Sequence, residues 1–271
     1  MTAWQKTVKY LALGLAALLS VCIIVGIVKA VSYLVRGDGV LDEMQTHTIE
    51  NAEEILSLDI EVSAAELTVK TGETFALESN LKYLTVQTRQ NTLIIEEENN
   101  HFKISGKKTP KVALVIPKGK QFTRVEIETG AGTFEMEEIY AQQLRFSFGA
   151  GAVHIDDMTA IQTADIEGGV GEIQIKHALL HNLDFDMGVG KMTLTAILTG
   201  NSRLECGVGE TNVTLIGSKE DYTVKTEKGI GDVWIDGAKA ENNAVYGGGN
   251  NNVEISGGVG RISIEFKEKD V

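Results

Sequence analysis

The sequence predicts an all-β protein, a parallel and right-handed β-helix or β-solenoid with repeats of about 19–20 residues, preceded by one transmembrane helix. Two features of residues 121–266 predict the solenoid. A Gly-x-Gly pair recurs seven times at steps of 19, 20, 19, 19, 22 and 29 residues. Apolar and polar residues alternate on both sides of each pair, which is the period of a β-strand. The glycines are Gly130, Gly132, Gly149, Gly151, Gly169, Gly171, Gly188, Gly190, Gly207, Gly209, Gly229, Gly231, Gly258 and Gly260.

The transmembrane helix is predicted by an apolar amino-terminal segment. Residues 11–28 contain no charged side chain, and 18 helical residues span about 27 Å, close to the hydrocarbon thickness of a bilayer. We assign residues 1–36 to an anchor with short flanks and residues 8–35 to the membrane. A signal peptide cleaved after Ala30 is the alternative, although this apolar run is longer than most signal peptides have.

Charge divides the chain into the same two parts. The full chain has a net charge of −13, but the first 37 residues hold four bases and no acid. The remainder therefore carries 21 bases against 38 acids, a net charge of −17. Nucleic-acid binding is not expected, because this charge has the wrong sign. The basic residues around the anchor favour a cytoplasmic amino terminus and a solenoid outside the cytoplasm.

The remaining boundaries follow from regularity. Residues 37–54 are polar and are predicted to form a stalk. Residues 55–120 alternate less regularly and are interpreted as amino-terminal coils and a cap, since atypical end repeats protect open solenoid ends. Residues 267–271 form a charged tail.

Each repeat is too short to contain a crossover helix, so we interpret it as two strands joined at a glycine corner. A sharp corner needs positive φ or close approach between backbones, and glycine permits both at low cost. A single repeat cannot bury its apolar side, so each coil is expected to pair with the coils above and below it, about 4.8 Å apart.

The order of segments resembles a known family. An anchor precedes SLDIEVSAAELTVKTG, then VALVIPKG, then the ladder of Gly-x-Gly repeats. This order resembles the bacterial β-strand-repeat domain of unknown function labelled "putative adhesin", as in LiaG-like membrane proteins, over roughly residues 38–266. The resemblance implies a membrane-tethered domain outside the cell, often linked to envelope stress. It supplies no catalytic residue.

The sequence predicts no catalytic, cofactor or metal site. Calcium-binding β-rolls require an aspartate where the repeat at Gly168 has Ile173. His177 and His181 fall in a turn between strands rather than on one helical face. Cys206 is expected inside the solenoid and Cys22 in the membrane, so they cannot pair.

One interval stands out as a candidate surface for a ligand or partner. The step of 29 residues holds about ten extra residues, at 237–252, and an insertion in a solenoid is expected to project as a loop. An exposed indole near amide side chains suits a glycan or a protein partner. The candidate residues are Trp234, Tyr246, Asn242, Asn243, Asn250 and Asn251.

The predicted function is a non-catalytic, membrane-anchored binding or scaffold module of the cell envelope. Its partner would be a cell-wall polymer or a membrane protein. A cytosolic, membrane-tethered scaffold resembling bactofilins is the alternative. A polysaccharide-acting enzyme is a third hypothesis, which the lack of clustered acids on an outward face disfavours.

Overall fold

The computed structural model describes residues 40–98, 109–241 and 243–268. These residues form one 15-stranded sheet with two single-turn 3-10 segments, and no α-helix occurs among them. They include no helix that is long and apolar enough to cross a membrane. The predicted membrane segment, residues 8–35, lies outside the described residues, as do Cys22 and Asn242. For the described residues, the all-β prediction is confirmed.

The strands fall into three groups along the chain. The first group is β1 (Val40–His47), β2 (Ser57–Val62), β3 (Glu66–Gly72), β4 (Ala76–Leu81), β5 (Leu84–Arg89), β6 (Thr92–Glu97) and β7 (Lys111–Pro117). The second is β8 (Gln121–His181), β9 (Leu183–Thr199) and β10 (Asn201–Ile216). The third is β11 (Tyr222–Glu227), β12 (Ile230–Ile235), β13 (Ala238–Lys239), β14 (Val245–Gly247) and β15 (Asn251–Lys267). The 3-10 segments are Ala52–Glu54 and Lys219–Asp221.

The middle of the molecule is a regular stack of parallel coils. β8 runs for 61 residues without interruption and passes through three glycine corners. β9 pairs in parallel with β8 on one side and with β10 on the other. The pairing continues through the corners, where Gly190 lies opposite Gly171 and Gly209. These pairs confirm the predicted solenoid of stacked parallel coils.

Each coil has three outward faces, which we name from the coil of residues 183–200. Face A precedes the glycine corner (183–187), face B follows it (191–195), and face C returns to the next coil (196–199). Alternate residues of each face point inward and are buried. In this coil they are Leu183, Phe185, Met187, Met192, Leu194, Ala196 and Leu198. Each buried aliphatic side chain contributes about 1.5–3 kcal/mol, so the continuous interior column is the main source of stability.

The first coils do not stack in chain order. β2 and β3 pair with β8 on one side and with β6 and β7 on the other, all in parallel. β6 and β7 therefore lie outside β2 and β3 in the parallel stack, although they follow them in the chain. β5 covers β6, β4 covers β7, and β1 covers β4, each in antiparallel pairing. Residues 40–47, assigned above to a polar stalk, are thus a strand of the sheet.

The last two coils also stack out of chain order, and we call their arrangement the exchanged order. β15 pairs in parallel with β10 on one side and with β11 and β12 on the other. The final coil (251–267) therefore lies between β10 and the coil that precedes it in the chain (222–235). At both ends, the coils therefore do not stack in chain order.

The length of the interval 237–252 predicted a projecting loop, but its described residues instead pair with the outermost coil. β13 pairs antiparallel with β12, and β14 pairs antiparallel with β11. The physical reason is the edge of the outermost coil, whose backbone N–H and C=O groups would otherwise lack partners. β13 and β14 cover that edge, and the chain then returns to form β15 between β10 and the outermost coil.

Candidate functional site

The glycine pairs shape the corners in two different ways. The second glycine of each pair has φ between +142° and +157°, a region that L-residues avoid. At Gly209, a Cβ would also overlap the carbonyl oxygen of Gly190 in the preceding coil. At Gly207 φ is not positive, but a Cβ would overlap the carbonyl of Gly188. The corners therefore hold backbone against backbone and leave no room for a ligand.

Trp234 lies on face B of the outermost coil. Its neighbours Val233 and Ile235 are buried, so the indole points outward, opposite Lys239 of β13 and Ser263 of β15. The ring is half-buried, and its Nε1 is buried without a hydrogen-bond partner among the described residues.

Tyr246 lies on the other side of the Gly229/Gly231 corner, in β14. It pairs with Val224, whose side chain is in the core, and its ring packs against that core. The Nζ of Lys219 is 5.6 Å from the centre of the Tyr246 ring. Trp234 and Tyr246 therefore belong to different faces, and the structure does not bring them together.

The candidate asparagines differ in what they do. Asn251 is tied to the backbone, because its Oδ1 accepts from the Gly200 N–H at 3.3 Å and its Nδ2 donates to the Asp221 carbonyl at 3.0 Å. Asn243 and Asn250 are exposed. Asn242 lies outside the described residues. A ligand-binding role for these residues stays a prediction.

The structure shows a different candidate site, a groove on face A across the last four coils. It has a volume of about 530 Å³, within the range of about 300–1,000 Å³ that ligand sites occupy. Val245 of β14 stands at its edge and is 60% exposed. The outward side chains that line the groove are Asn182, Asp184, Asn201, Arg203, Thr223, Lys225, Asn252 and Glu254.

These side chains form two columns along the solenoid axis. The first column consists of short polar side chains, in the order Asn182, Asn201, Asn252 and Thr223. The second column alternates in charge, in the order Asp184, Arg203, Glu254 and Lys225. The alternation depends on the exchanged order of the last two coils, because chain order would place Arg203 beside Lys225.

Hydrogen bonds fix the first column. The Asn201 backbone N–H donates to Asn182 Oδ1 at 3.0 Å, and Asn252 Nδ2 donates to Asn201 Oδ1 at 2.9 Å. Asn201 Nδ2 and Asn252 Oδ1 form no hydrogen bond within the described residues. The groove is therefore lined by amides of fixed orientation, in which the Asn201 NH2 group remains as a donor and the Asn252 side-chain oxygen remains as an acceptor.

An ion pair fixes the second column at its outer end. Lys225 Nζ lies 2.7 Å from Glu254 Oε1. The hydrogen bond to Lys225 lowers the pKa of the Glu254 carboxyl, and the same bond raises the pKa of the Lys225 amine. Arg203 Nη1 lies 3.7 Å from Glu205 Oε1. The groove thus contains charges of both signs in equal number along this column.

The opposite end of face A is acidic. Asp59 and Glu61 on β2 are flanked by Glu96, Glu126 and Glu128. Burial and then these neighbouring carboxylates raise the pKa of both Asp59 and Glu61. The groove is therefore the charge-balanced part of a face that is strongly anionic elsewhere.

Other reactive groups are isolated. In the described ranges, no three His, Cys, Asp or Glu side chains are grouped so that they could hold a metal ion. His177 Nδ1 is 3.6 Å from Asp157 Oδ1, and His181 Nδ1 is 3.0 Å from Thr199 Oγ1. Burial raises the pKa of the Cys206 thiol, which keeps it protonated.

Sequence reasoning missed the groove, but the sequence carries a signal for it. Asparagine, any residue and a charged residue recur at 182–184, 201–203 and 252–254, the position where face A begins. The third triplet lies about fifty residues after the second, so spacing along the chain does not connect it with the other two. Only the exchanged coil order makes them neighbours.

The fold and the groove define a class, that of all-β, solenoid-like proteins with an outward polar groove. The model of the family Toastrack DUF4097 matches residues 55–265. The chain belongs to this family. The resemblance to a β-strand-repeat domain of unknown function is therefore confirmed.

Solved structures also resemble the chain. A "putative lipid binding protein" from Parabacteroides distasonis is 12% identical, with a TM-score of 0.40 over 84% of this chain and 98% of that one. A "putative adhesin" from the same species is 12% identical, with a TM-score of 0.37 over 86% and 99%. A "putative cell adhesion protein" from Clostridium sporogenes is 15% identical, with a TM-score of 0.34 over 83% and 99%. Among curated proteins, none matches the chain.

Proposed function

We propose that this protein is a non-catalytic, adhesin-like binding module that is anchored in the cell membrane and holds an envelope polymer in the face A groove. The groove carries the proposal, because it presents the same kinds of polar group on successive coils about 4.8 Å apart. A repeating surface suits an extended, repeating ligand better than a small metabolite. An association with envelope stress comes only from the family resemblance.

The anchor and the location are part of the proposal. The uncharged residues 11–28 and the basic residues around them support an anchor with a cytoplasmic amino terminus. The cytosolic scaffold that polymerises end to end is the alternative. It requires solenoid ends that can stack on one another, whereas antiparallel strands cover the outermost strands at both ends.

Location is tested by labelling on intact cells. A single exposed cysteine is placed on face B by Glu135→Cys in a Cys22→Ser background, and the cells are treated with a membrane-impermeant maleimide. Cys206 can remain, because it is buried. We expect labelling before lysis, and the Cys22→Ser chain without Glu135→Cys is the control for background. Labelling only after lysis would place the solenoid in the cytosol and remove the envelope proposal.

Polymer binding is tested with two arginines of the same column and equal exposure. The full chain in lipid nanodiscs is sedimented with isolated cell-wall material. Arg203 lies in the groove, whereas Arg145 lies outside it, and the side chains of both are 59% exposed. We expect Arg203→Ala to weaken binding at least about tenfold and Arg145→Ala to leave it unchanged, since groove contacts of charged side chains contribute about 1.5–3 kcal/mol. Equal effects of the two substitutions would contradict a site in the groove.

A further inference from the structure

We infer that the groove takes a neutral, hydroxyl-rich glycan that lies along the solenoid axis, with successive sugar units over successive coils. This inference rests on the proposed function and adds the chemical class and direction of the ligand. Three features of the groove support it: the hydrogen-bonding groups that remain on its amides, its balance of charge, and its apolar edge.

The remaining amide groups match hydroxyls. Asn201 Nδ2 is a donor and Asn252 Oδ1 is an acceptor, and the two residues lie directly opposite each other in adjacent coils. A hydroxyl group both donates and accepts, whereas a phosphate or an ionised carboxylate only accepts. A ligand that uses both groups at once therefore carries hydroxyls or amides rather than anionic groups alone.

Charge disfavours an anionic polymer. Lys225 is already paired with Glu254, and the second column holds as many acids as bases. The full chain is acidic, with a net charge of −13. An anionic polymer would approach against this field and find no uncompensated group of cations, which such polymers require for recognition. A neutral polymer meets no such opposition.

The apolar edge gives a sugar ring a surface to stack on. Val245 is 60% exposed beside the polar columns. Ligand sites commonly combine apolar contact with a few fixed polar groups that set orientation. A pyranose ring presents C–H groups on its faces and hydroxyls around its rim, which is the combination that this groove offers.

The periodicity of the groove sets the direction of the ligand. Thr223, Asn252, Asn201 and Asn182 lie on four consecutive coils, and three steps of about 4.8 Å make about 14 Å. A chain laid along the axis meets a polar side chain at each step. A chain laid across the coils would leave face A after one strand and meet the corner glycines, which offer no side chains.

The test uses the full chain in lipid nanodiscs and three defined probes. Cellotetraose and chitotetraose are neutral, and tetragalacturonate is an anionic oligosaccharide of similar length. Titration calorimetry compares the three dissociation constants. We expect at least one neutral probe to bind at least about tenfold more tightly than tetragalacturonate. Equal or tighter binding of tetragalacturonate would overturn the inference, as would no binding by either neutral probe.

Two asparagines give a matched pair of variants. Asn201→Asp keeps the Oδ1 that accepts from Asn252 but replaces the remaining donor with an acceptor and adds a charge. Asn212→Asp makes the same chemical change on face B. We expect a loss of affinity of at least about tenfold for Asn201→Asp and no change for Asn212→Asp. Equal losses would show that the probe does not bind in the groove.

Val245→Ser supplies an independent check on the apolar edge. The side chain is largely exposed, so the fold tolerates the change, and we expect affinity for the neutral probe to fall about three- to tenfold. An unchanged affinity would contradict the stacking of a sugar on this edge. The outcome is separate from the location experiment, since a cytosolic solenoid could still bind a neutral glycan and an extracytoplasmic one could fail to.

Discussion

At the amino-terminal end of the stack, the corner at residues 63–65 directs backbone N–H groups outward, whereas the last corner, at 229–231, directs carbonyl groups outward. The reason is the polarity of a parallel stack, in which corner N–H groups donate toward the preceding coil, as the Ala131 N–H does to the Ser63 carbonyl at 2.8 Å. The two ends therefore need opposite partners. Different residues therefore satisfy the outward backbone groups at the two ends, whereas the corners between them pair with one another and require only glycine.

The first corner shows this difference most clearly. It has the sequence Ser63-Ala64-Ala65 in place of Gly-x-Gly. On the outer side of this corner, strand pairing among the described residues ends at Glu61 opposite Glu96 and resumes at Glu66 opposite Lys111. The Glu97 carboxylate takes the place of the missing carbonyls, since its Oε2 accepts from the Ser63 N–H at 2.8 Å and the Ala64 N–H at 3.4 Å.

The largest effect is expected in the middle of the stack. Gly190→Ala places a Cβ against the carbonyl of Gly171 at a φ of +142°. Backbone cannot move aside as a flexible side chain can, so we expect the free energy of unfolding to fall by about 3–5 kcal/mol. Denaturant unfolding followed by circular dichroism measures it. Thr193→Ala in the same coil is the control and should change stability by less than about 0.5 kcal/mol, and similar losses in both would contradict the corner argument.

The carboxyl-terminal end is tested where the chain crosses back toward β15. Gly248 and Gly249 both donate to the Tyr222 carbonyl, but only Gly249 lacks room for a side chain. A Cβ on Gly249 would overlap the backbone of Asp221, whereas a Cβ on Gly248 would meet nothing within 4 Å. We expect Gly249→Ala to cost about 2–4 kcal/mol and Gly248→Ala to be nearly neutral.

Amide hydrogen exchange shows which strands the Gly249→Ala substitution destabilises. In Gly249→Ala, the amides of β11, β14 and β15 should lose protection, while those of β8 should keep it, because β8 pairs with none of these strands. Loss of protection throughout the molecule would show that the end and the middle unfold as one unit. It would also remove the distinction between them that the corners suggest.

The amino-terminal end is tested at Glu97. Glu97→Ala leaves the N–H groups of Ser63 and Ala64 without this carboxylate, and we expect a loss of about 1–3 kcal/mol. Glu97→Gln retains an oxygen acceptor and should recover part of that loss. Unfolding in denaturant compares the two variants with Glu98→Ala, whose carboxylate bonds the exposed Thr85 hydroxyl. If Glu98→Ala costs as much as Glu97→Ala, the carboxylate does not cap the corner.

The regular coils could be predicted from the sequence because each rule acts locally. Alternation predicts which side of a strand is buried, as at Val153 and Ile155. The interval of 19 or 20 residues predicts which glycines stack. No local rule states which coil is next to which, because 222–235 and 251–267 carry the same corner and the same alternation. The groove was missed for the same reason, since it exists only in the exchanged order.

The charged side chains on face B alternate in sign only when the last two coils stack in the exchanged order. One column of face B crosses five coils, and each of its residues lies opposite the next. In stacking order the residues are Glu172, Lys191, Glu210, Arg261 and Asp232. Their signs alternate, and opposite charges on neighbouring strands stabilise a sheet while like charges destabilise it. Stacking in chain order would instead place Glu210 beside Asp232. The pattern therefore favours the exchanged order over the simple one.

The smallest effect is expected from reversing one charge of this column. Arg261→Glu puts a carboxylate between Glu210 and Asp232, and we expect Tm to fall by about 1–2 °C at low salt, because these side chains are exposed and water screens them. The effect should fade in about 1 M salt, where the Debye length is about 3 Å. Arg261→Gln removes the positive charge without adding a carboxylate and should lower Tm less than Arg261→Glu does. A fall in Tm that persists in high salt, or equal falls for Arg261→Gln and Arg261→Glu, would show that charge does not help to set the order of the last coils.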